Sequence, residues 1–277
     1  MSAMRCRGYF VASNPLTVGE VFRSSGIYAF FMTLSVCWCL VMATGCVTES
    51  VGGIPPAASA DERVRAQLDL ARAYLEQGDL NRTRVALDKA LSIDARSVEA
   101  HVLLAVVLQA ESEFELAEGH FEKALRIAPR NSQALNNYGA FLYARQRYED
   151  AIVPLRLLVE DTSYRARGQA FENLGFAYLR ADKIGAAEEA FLRATQLNVR
   201  QPRSTLELAE LAFERGDYET ALARLLEFRL LAQQNARSLC LAIRVAELRG
   251  EADQVASSTM ALNNLFPNQA DKCQINK

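Results

Sequence analysis

The chain of 277 residues has few of the features on which catalysis and metal binding depend. It contains two histidines, and four of its six cysteines fall within the first 46 residues. The remainder therefore has neither the cysteine density of a disulfide scaffold nor the ligand spacing of a zinc site. A glycine-rich phosphate loop of the GxxxxGK type is also missing. We expect no enzyme, no metal site, no cofactor and no small-molecule substrate.

The chain also lacks an excess of charge of either sign. Its 31 Lys and Arg residues are offset by 33 Asp and Glu residues, which leaves a net charge of −2. A nucleic-acid-binding surface needs a basic excess that neutralises phosphates. We therefore expect no nucleic-acid partner.

One long apolar run, GIYAFFMTLSVCWCLVM, occupies residues 26–42. It is at the lower limit of length for a bilayer span, and Arg23 precedes it as in a signal peptide. The small residues 43–45 then lead to Cys46, and this ATG-C sequence resembles the lipobox of bacterial lipoproteins, with Ala43 where leucine is usual. The resemblance implies cleavage before Cys46 and its lipidation. The alternative is an uncleaved signal anchor.

The lipobox resemblance implies a location as well as a modification. Residues 1–45 are then a signal peptide, and residues 46–61 are a lipidated N-terminus followed by a flexible tether with two glycines and two prolines. Val47, in place of aspartate, resembles the class that is sorted to the outer membrane. Several acyl chains anchor a protein stably, so we expect a lipid-anchored protein facing the periplasm. The segment before Arg23 is long for a signal peptide, and a start at Val21 would give the conventional length.

A period of 34 residues runs through the rest of the chain. Small residues recur at one position with spacings of 34, 34, 36 and 34, whereas Ile243 occupies that position in the last unit. This pattern resembles the tetratricopeptide repeat, in which two antiparallel helices cross closely where one side chain is small. Residues 59–62, with the sequence SADE, have capping-box spacing and predict the start of the first helix. The small residues are Ala71, Ala105, Gly139, Gly175 and Ala209.

The repeat predicts an all-α solenoid, a right-handed superhelix of six helix-turn-helix units with one continuous core. Two extra residues within 159–167 predict a longer loop between the third and fourth repeats. The sequence leaves open whether Cys240 and Cys273 pair in an oxidising periplasm. Within residues 62–269 the repeats are 64–97, 98–131, 132–167, 168–201, 202–235 and 236–269, and a tail follows at 270–277.

The repeat phase predicts a partner-binding groove along one face of the first helix of each unit. This face is apolar from the first unit to the fifth, which is typical of a site for an amphipathic helix or a hydrophobic strand. The other interpretation is that these side chains pack against neighbouring helices. The predicted groove residues are Leu68, Arg72, Leu75, Val102, Val106, Asn136, Tyr143, Phe176, Leu179, Leu206 and Phe213. The same phase adds Gln109, Ala140, Glu172, Glu210, Cys240, Arg244 and Glu247.

Four further polar residues have structural interpretations. Asn137 and Asn173 share a position that commonly holds asparagine in this repeat, so we expect helix packing and local hydrogen bonds. His101 falls at a core position for a large residue and His120 on a second helix. Both histidines are therefore expected to be structural.

Four segments carry a more specific family resemblance. LNNYGAFLY (135–143), FENLGFAYL (171–179), LNVRQPRSTLELA (197–209) and QQNARSLCLAIRVA (233–246) resemble the PilF/PilW family of type IV pilus biogenesis lipoproteins. The resemblance covers roughly residues 46–267. It implies a pilotin that helps the pilus secretin reach the outer membrane and multimerise, a function required for the fimbrium and twitching motility.

A different function class stays open at this point. Other outer-membrane lipoproteins use the same repeat as periplasmic scaffolds for cell-wall enzymes or envelope-assembly proteins. Loss of secretin multimers on deletion would support the pilotin, whereas altered cell shape with normal secretin would support the scaffold.

Overall fold

The computed structural model describes residues 58–273, so the predicted signal peptide, Cys46, residues 47–57 and residues 274–277 lie outside the described range. The described part consists of twelve α-helices and a final 3-10 helix at Pro267–Cys273, with no strand. The helices are α1 (Ala60–Glu76), α2 (Leu80–Ile93), α3 (Val98–Ala110), α4 (Phe114–Ile127), α5 (Ser132–Ala144), α6 (Tyr148–Glu160), α7 (Arg167–Arg180), α8 (Ile184–Leu197), α9 (Pro202–Glu214), α10 (Tyr218–Leu231), α11 (Ala236–Arg249) and α12 (Ala252–Leu265). Odd-numbered helices are the A helices of six successive repeats, and even-numbered helices are the B helices. The predicted all-α repeat fold is confirmed.

Local hydrogen bonds set the ends of several helices. The predicted capping box at the start of α1 is present, because the Ser59 hydroxyl accepts from the Glu62 N–H and the Glu62 carboxylate accepts from the Ser59 N–H. Asp79, Asn131 and Asp217 cap α2, α5 and α10 by accepting a backbone N–H with a carboxylate or amide oxygen, without the reciprocal bond of a capping box. The predicted longer loop also exists, since six residues separate α6 from α7.

The small residues lie where the two helices of a repeat cross. A Cβ atom added to Gly139 would stand 2.6 Å from Leu155 Cγ, and one added to Gly175 would stand 2.6 Å from Phe191 Cε1. The alanines at the equivalent positions are fully buried. The 34-residue pattern of small residues therefore marks the closest approach between A and B helices.

Each turn from an A helix to its B helix contains one residue with positive φ. Three of these are glycines, Gly78, Gly216 and Gly250, and the other three are Ser112, Gln146 and Asp182. A left-handed backbone places the Cβ atom close to the following carbonyl oxygen, so non-glycine residues carry a steric cost in this conformation. The second, third and fourth repeats have that cost in their turns.

We predict that Gln146→Gly stabilises the third repeat. Gln146 has φ 60° and is exposed, so the substitution relieves backbone strain without removing a buried contact. The expected gain in the free energy of unfolding is about 0.5–1 kcal/mol, since the greater freedom of glycine in the unfolded chain offsets part of the relief. Chemical denaturation measures it. Gly216→Ala, at φ 83°, is the matched reverse substitution and should lower stability; a gain there would contradict the steric explanation.

The core is divided, which corrects the expectation of one continuous core. The largest cluster of buried apolar residues extends from Val64 in α1 to Ala190 in α8. A smaller cluster joins α8 to α9 through Phe191 and Leu208, and two others fill the last two repeats. Polar side chains interrupt apolar packing at the start of α9, where Gln201, Ser204 and Thr205 are buried. Ser204 bonds to Glu172 of α7, and the Thr205 hydroxyl donates to the carbonyl oxygen of Gln201. The junction between the fourth and fifth repeats is therefore polar at the start of α9 and apolar where α8 packs on α9.

A disulfide closes the C-terminal end. Cys240 in α11 is joined to Cys273 at the end of the 3-10 helix, with a Cα–Cα distance of 5.4 Å. The pairing that the sequence left open is therefore present. It holds the 3-10 helix against the last A helix, beside Leu262 and Phe266.

Candidate protein-binding groove

Three of the predicted groove residues are not accessible. Leu68, Val102 and Leu206 are 6%, 0% and 4% exposed and belong to the apolar core. The equivalent residue in the fourth repeat, Glu172, is also buried, at 2%. The prediction that these side chains line the groove surface is therefore wrong. The reason is that this position of the A helix faces the next repeat: Glu172 bonds to Ser204 of α9.

The position one helical turn later also contacts the next A helix, but its side chains remain partly accessible. In the first repeat Arg72 pairs with Glu99. In the fourth, the guanidinium of Arg203 lies over the ring of Phe176, 4.3 Å from its centroid. Of the equivalent residues in the second and third repeats, Val106 is half-buried and Ala140 is exposed. This position therefore forms the lining of the groove, and successive A helices supply one residue each.

Three aromatic side chains contribute to the lining, one each on α5, α7 and α9, and those of α5 and α9 lie one turn nearer the C-terminal end of their helix. Tyr143 and Phe213 pack against the tyrosines that begin the following B helices, with ring centroids 5.3 and 5.5 Å apart. Phe176 packs edge-on against buried Phe191 at 5.1 Å. Each ring is fixed by its neighbour and leaves part of its face accessible. Leu75 and Leu179 are likewise half-buried, so the groove offers an apolar surface of rigid side chains.

Charge is concentrated at the C-terminal end of the groove. Arg237 of α11 donates two hydrogen bonds to buried Glu207, at 2.6 and 2.8 Å, and a third to Glu210. The hydrogen bond to Glu207 is the main reason that the pKa of Arg237 is raised. Burial raises the pKa of Glu210, while its bond to Arg237 acts in the opposite direction. The cluster holds its charges in internal pairs.

Two open cavities lie in this part of the molecule. One of about 400 Å³ is bounded by Phe213, Arg237, Arg244 and the Cys240–Cys273 disulfide. The other, of about 360 Å³, lies between Phe176, Arg203 and the end of α10. Each has an aromatic wall with an arginine stacked on it or beside it, as Arg244 lies 4.3 Å from the Phe213 centroid.

The two histidines contact each other and not the groove. Their Nδ1 atoms are 3.0 Å apart, and His101 Nε2 is 3.1 Å from the carbonyl oxygen of Ala95. If Nε2 donates to that carbonyl, His101 Nδ1 accepts from His120. Burial lowers the pKa of both rings, that of His120 to about 4.

The structure also contains contacts that sequence reasoning missed. Ion pairs join consecutive repeats, and in four of them the partners are 27 residues apart. A search for opposite charges at that separation would have found them. They are Arg72–Glu99, Arg84–Glu111, Glu188–Arg215 and Glu210–Arg237.

Residues 58–273 contain neither a candidate membrane span nor a candidate metal site. Within this range no helix has the length and hydropathy needed to cross a bilayer. No group of three or more potential metal ligands comes together in the same part of the chain.

Comparisons with known proteins agree with the fold and specify the family. The tetratricopeptide repeat family matches residues 68–132, 172–236 and 120–153. The type IV pilus assembly protein PilF of Pseudomonas aeruginosa is 40% identical over 225 residues, covering 81% of this chain and 89% of PilF. The solved structure of P. aeruginosa PilF superposes with a TM-score of 0.71 and covers 79% of this chain and 99% of that one. The structure of PilW, a type IV pilus biogenesis factor, shares the fold at 23% identity, with a TM-score of 0.63 over 74% of this chain and 94% of that one. The chain thus belongs to the family of tetratricopeptide-repeat proteins of type IV pilus biogenesis that includes PilF and PilW.

Proposed function

We propose that this protein is an outer-membrane pilotin that brings the type IV pilus secretin to the outer membrane and promotes its multimerisation. Family membership supports a role in pilus biogenesis. The observation that carries the proposal is the apolar groove on rigid A helices, whose accessible Tyr143, Phe176 and Phe213 suit binding of another protein. Binding of this kind requires no cofactor and no bond-making step.

The N-terminal segment supports the proposed location. Cys46 follows a lipobox-like sequence, and the two glycines and two prolines between it and α1 are the composition expected of a tether. The acyl chains would place the protein on the membrane, the tether would give reach, and the groove would cover apolar surface on secretin protomers before they assemble.

The first test compares secretin in outer-membrane fractions of wild-type, deletion and Cys46→Ser cells. We expect SDS-resistant multimers in the wild type and their loss on deletion. Cys46→Ser should leave secretin monomeric or in the inner membrane, because the protein would lack the acyl chains that direct it to the outer membrane. Multimers at normal level and place in the deletion strain would exclude the pilotin function and favour the periplasmic scaffold.

A second arm of the same experiment examines the groove. Ala140 is exposed at the centre of the groove, so Ala140→Glu adds a charge to the apolar surface without removing a core contact. Ala256→Glu, at an exposed position of α12, adds the same charge away from the groove. Only Ala140→Glu should reduce the multimers. Equal effects would remove the groove from the proposed mechanism.

A further inference from the structure

A pair of asparagines lies between neighbouring A helices in the middle of the groove. Asn173 of α7 donates from Nδ2 to Oδ1 of Asn136 in α5 at 3.4 Å. Both side chains are half-buried, and no other hydrogen bond to either amide group is present within residues 58–273. An amide side chain has two N–H donors and a carbonyl acceptor. Asn136 thus keeps both of its N–H donors, and Asn173 keeps its acceptor and one N–H donor.

These unused groups are accessible. Among the described residues, the buried side-chain polar atoms that lack a partner are Gln67 Oε1 and Arg84 Nε, and neither belongs to the asparagine pair. A segment that covered the pair without bonding to it would bury an amide donor and an amide acceptor at a cost in free energy. The occupant therefore has to supply a carbonyl and an N–H.

The groove on either side of the pair carries no charge at its lining position. Arg72 and Glu210 occupy this position toward the two ends, and each is paired with the next A helix. Val106, Ala140 and Phe176 occupy it in the second to fourth repeats. Arg203 of α9 lies over Phe176, but its guanidinium is already paired with buried Glu172 at 3.3 Å. A charged side chain placed on this section would therefore lose hydration without gaining an unpaired ionic partner. The central groove accordingly fits a neutral segment.

The same groups distinguish between conformations of that segment. An α-helix uses its backbone N–H and C=O groups internally, so a docked helix would offer the asparagines only side chains. An extended segment leaves its backbone groups available and directs alternate side chains to opposite faces. We propose that the central groove binds a neutral, apolar segment of a partner protein in extended conformation, with Asn136 donating to a backbone carbonyl and Asn173 accepting from a backbone N–H.

Two aromatic rings are placed to receive the side chains of such a segment. Tyr143 is two helical turns beyond Asn136, and Phe176 is one turn beyond Asn173, so each ring shares the face of its asparagine. Both rings are partly accessible. The inference rests on the proposed protein-binding role of the groove, but it does not require the bound protein to be the secretin.

Defined peptides test the proposal on the full-length lipoprotein in detergent. The first probe is an end-blocked, fluorescein-labelled nonapeptide of alternating valine and threonine. The second carries N-methyl groups on alternate backbone nitrogens, and the third is a hydrocarbon-stapled helical peptide of the same residues. Fluorescence anisotropy should show binding of the first probe that is about tenfold tighter than that of the other two, which is the expected result of losing one or two backbone hydrogen bonds.

The protein variants identify the asparagines as the recognising groups. Asn136→Ala combined with Asn173→Ala should weaken the first probe about tenfold and largely abolish the discrimination against N-methylation. Asn263→Ala, at an exposed position of α12, is the matched control and should change neither value. Tighter binding of the helical probe, unaltered binding by the double variant, or no binding of the extended probe would each overturn the proposal. Secretin multimers are measured separately, so the pilotin function can survive a negative result with the peptides.

Discussion

Gly175→Ala is expected to destabilise the fourth repeat by about 2–3 kcal/mol, although alanine favours helix formation over glycine by about 1 kcal/mol. The added Cβ atom would lie 2.6–3.0 Å from three atoms of the Phe191 ring, and that ring is fully buried. A buried ring in close-packed surroundings cannot move away without displacing other side chains. The steric penalty should therefore exceed the gain in helix propensity. Chemical denaturation, with amide hydrogen exchange in α7 and α8, measures the local loss.

Gly119→Ala is the matched control for this substitution. Gly119 lies inside α4, and a Cβ atom there would have no heavy atom within 4 Å beyond the local helix. The same chemical change should stabilise the protein by about 1 kcal/mol. Opposite signs for the two variants would assign the effect of Gly175→Ala to helix crossing. A gain in stability for both would mean that close helix crossing does not require the small residues of the repeat.

The sequence was sufficient for the fold because the crossing constraint appears at a fixed period. Ala71, Gly139 and Gly175 lie at the same helix-crossing contact in different repeats. Their agreement in phase identifies the solenoid even when the other residues of the repeats are ignored. The longer loop followed from the same phase, since two extra residues cannot be placed inside a helix pair without breaking it.

The burial of each groove side chain could not be predicted from the repeat period. The period gives the face of an A helix, but whether a side chain on that face is covered depends on the angle and distance to the next repeat. Leu68 and Val102 point toward the following repeat and are buried, whereas Val106, one turn beyond Val102, remains half-buried. The asparagine pair was likewise unpredictable, because Asn136 and Asn173 occupy different positions of their repeats and meet only through the packing of α5 on α7.

The pairing of Cys240 with Cys273 depended on similar information. The two cysteines are 33 residues apart, close to one repeat length, but residues 267–273 form a 3-10 helix and not a seventh A helix. The path of that segment decides whether the cysteines meet. The repeat period therefore gives no prediction for the path of the chain after the sixth repeat.

The second large effect on stability is expected at Glu172, which forms the polar contact between the fourth and fifth repeats. The Glu172 carboxylate is 2% exposed and accepts hydrogen bonds from the Ser204 hydroxyl at 2.8 Å and the Ser204 N–H at 3.2 Å. Its other oxygen accepts from Gln169 at 2.9 Å and lies 3.3 Å from Arg203. The residue before α9, Gln201, makes no side-chain capping bond. Glu172 therefore caps the fifth A helix from the preceding repeat, with its negative charge at the positive end of the helix dipole.

We expect Glu172→Ala to cost about 2–4 kcal/mol in the free energy of unfolding, because it leaves the buried N–H and hydroxyl of Ser204 without an acceptor. Glu172→Gln should cost less, since one carbonyl acceptor remains. Glu160→Ala removes an exposed carboxylate that is paired with Arg130 at 3.4 Å, and it should change stability by no more than about 0.5 kcal/mol.

Local hydrogen exchange determines whether this cost arises at the repeat junction. Loss of the cap should accelerate exchange at the start of α9 and leave α1 to α4 protected, because repeats in a solenoid are stabilised mainly by their nearest neighbours. Uniform acceleration throughout the chain would indicate that the six repeats unfold as one cooperative unit. Unchanged exchange at Ser204 in Glu172→Ala would mean that the carboxylate is not the cap of α9.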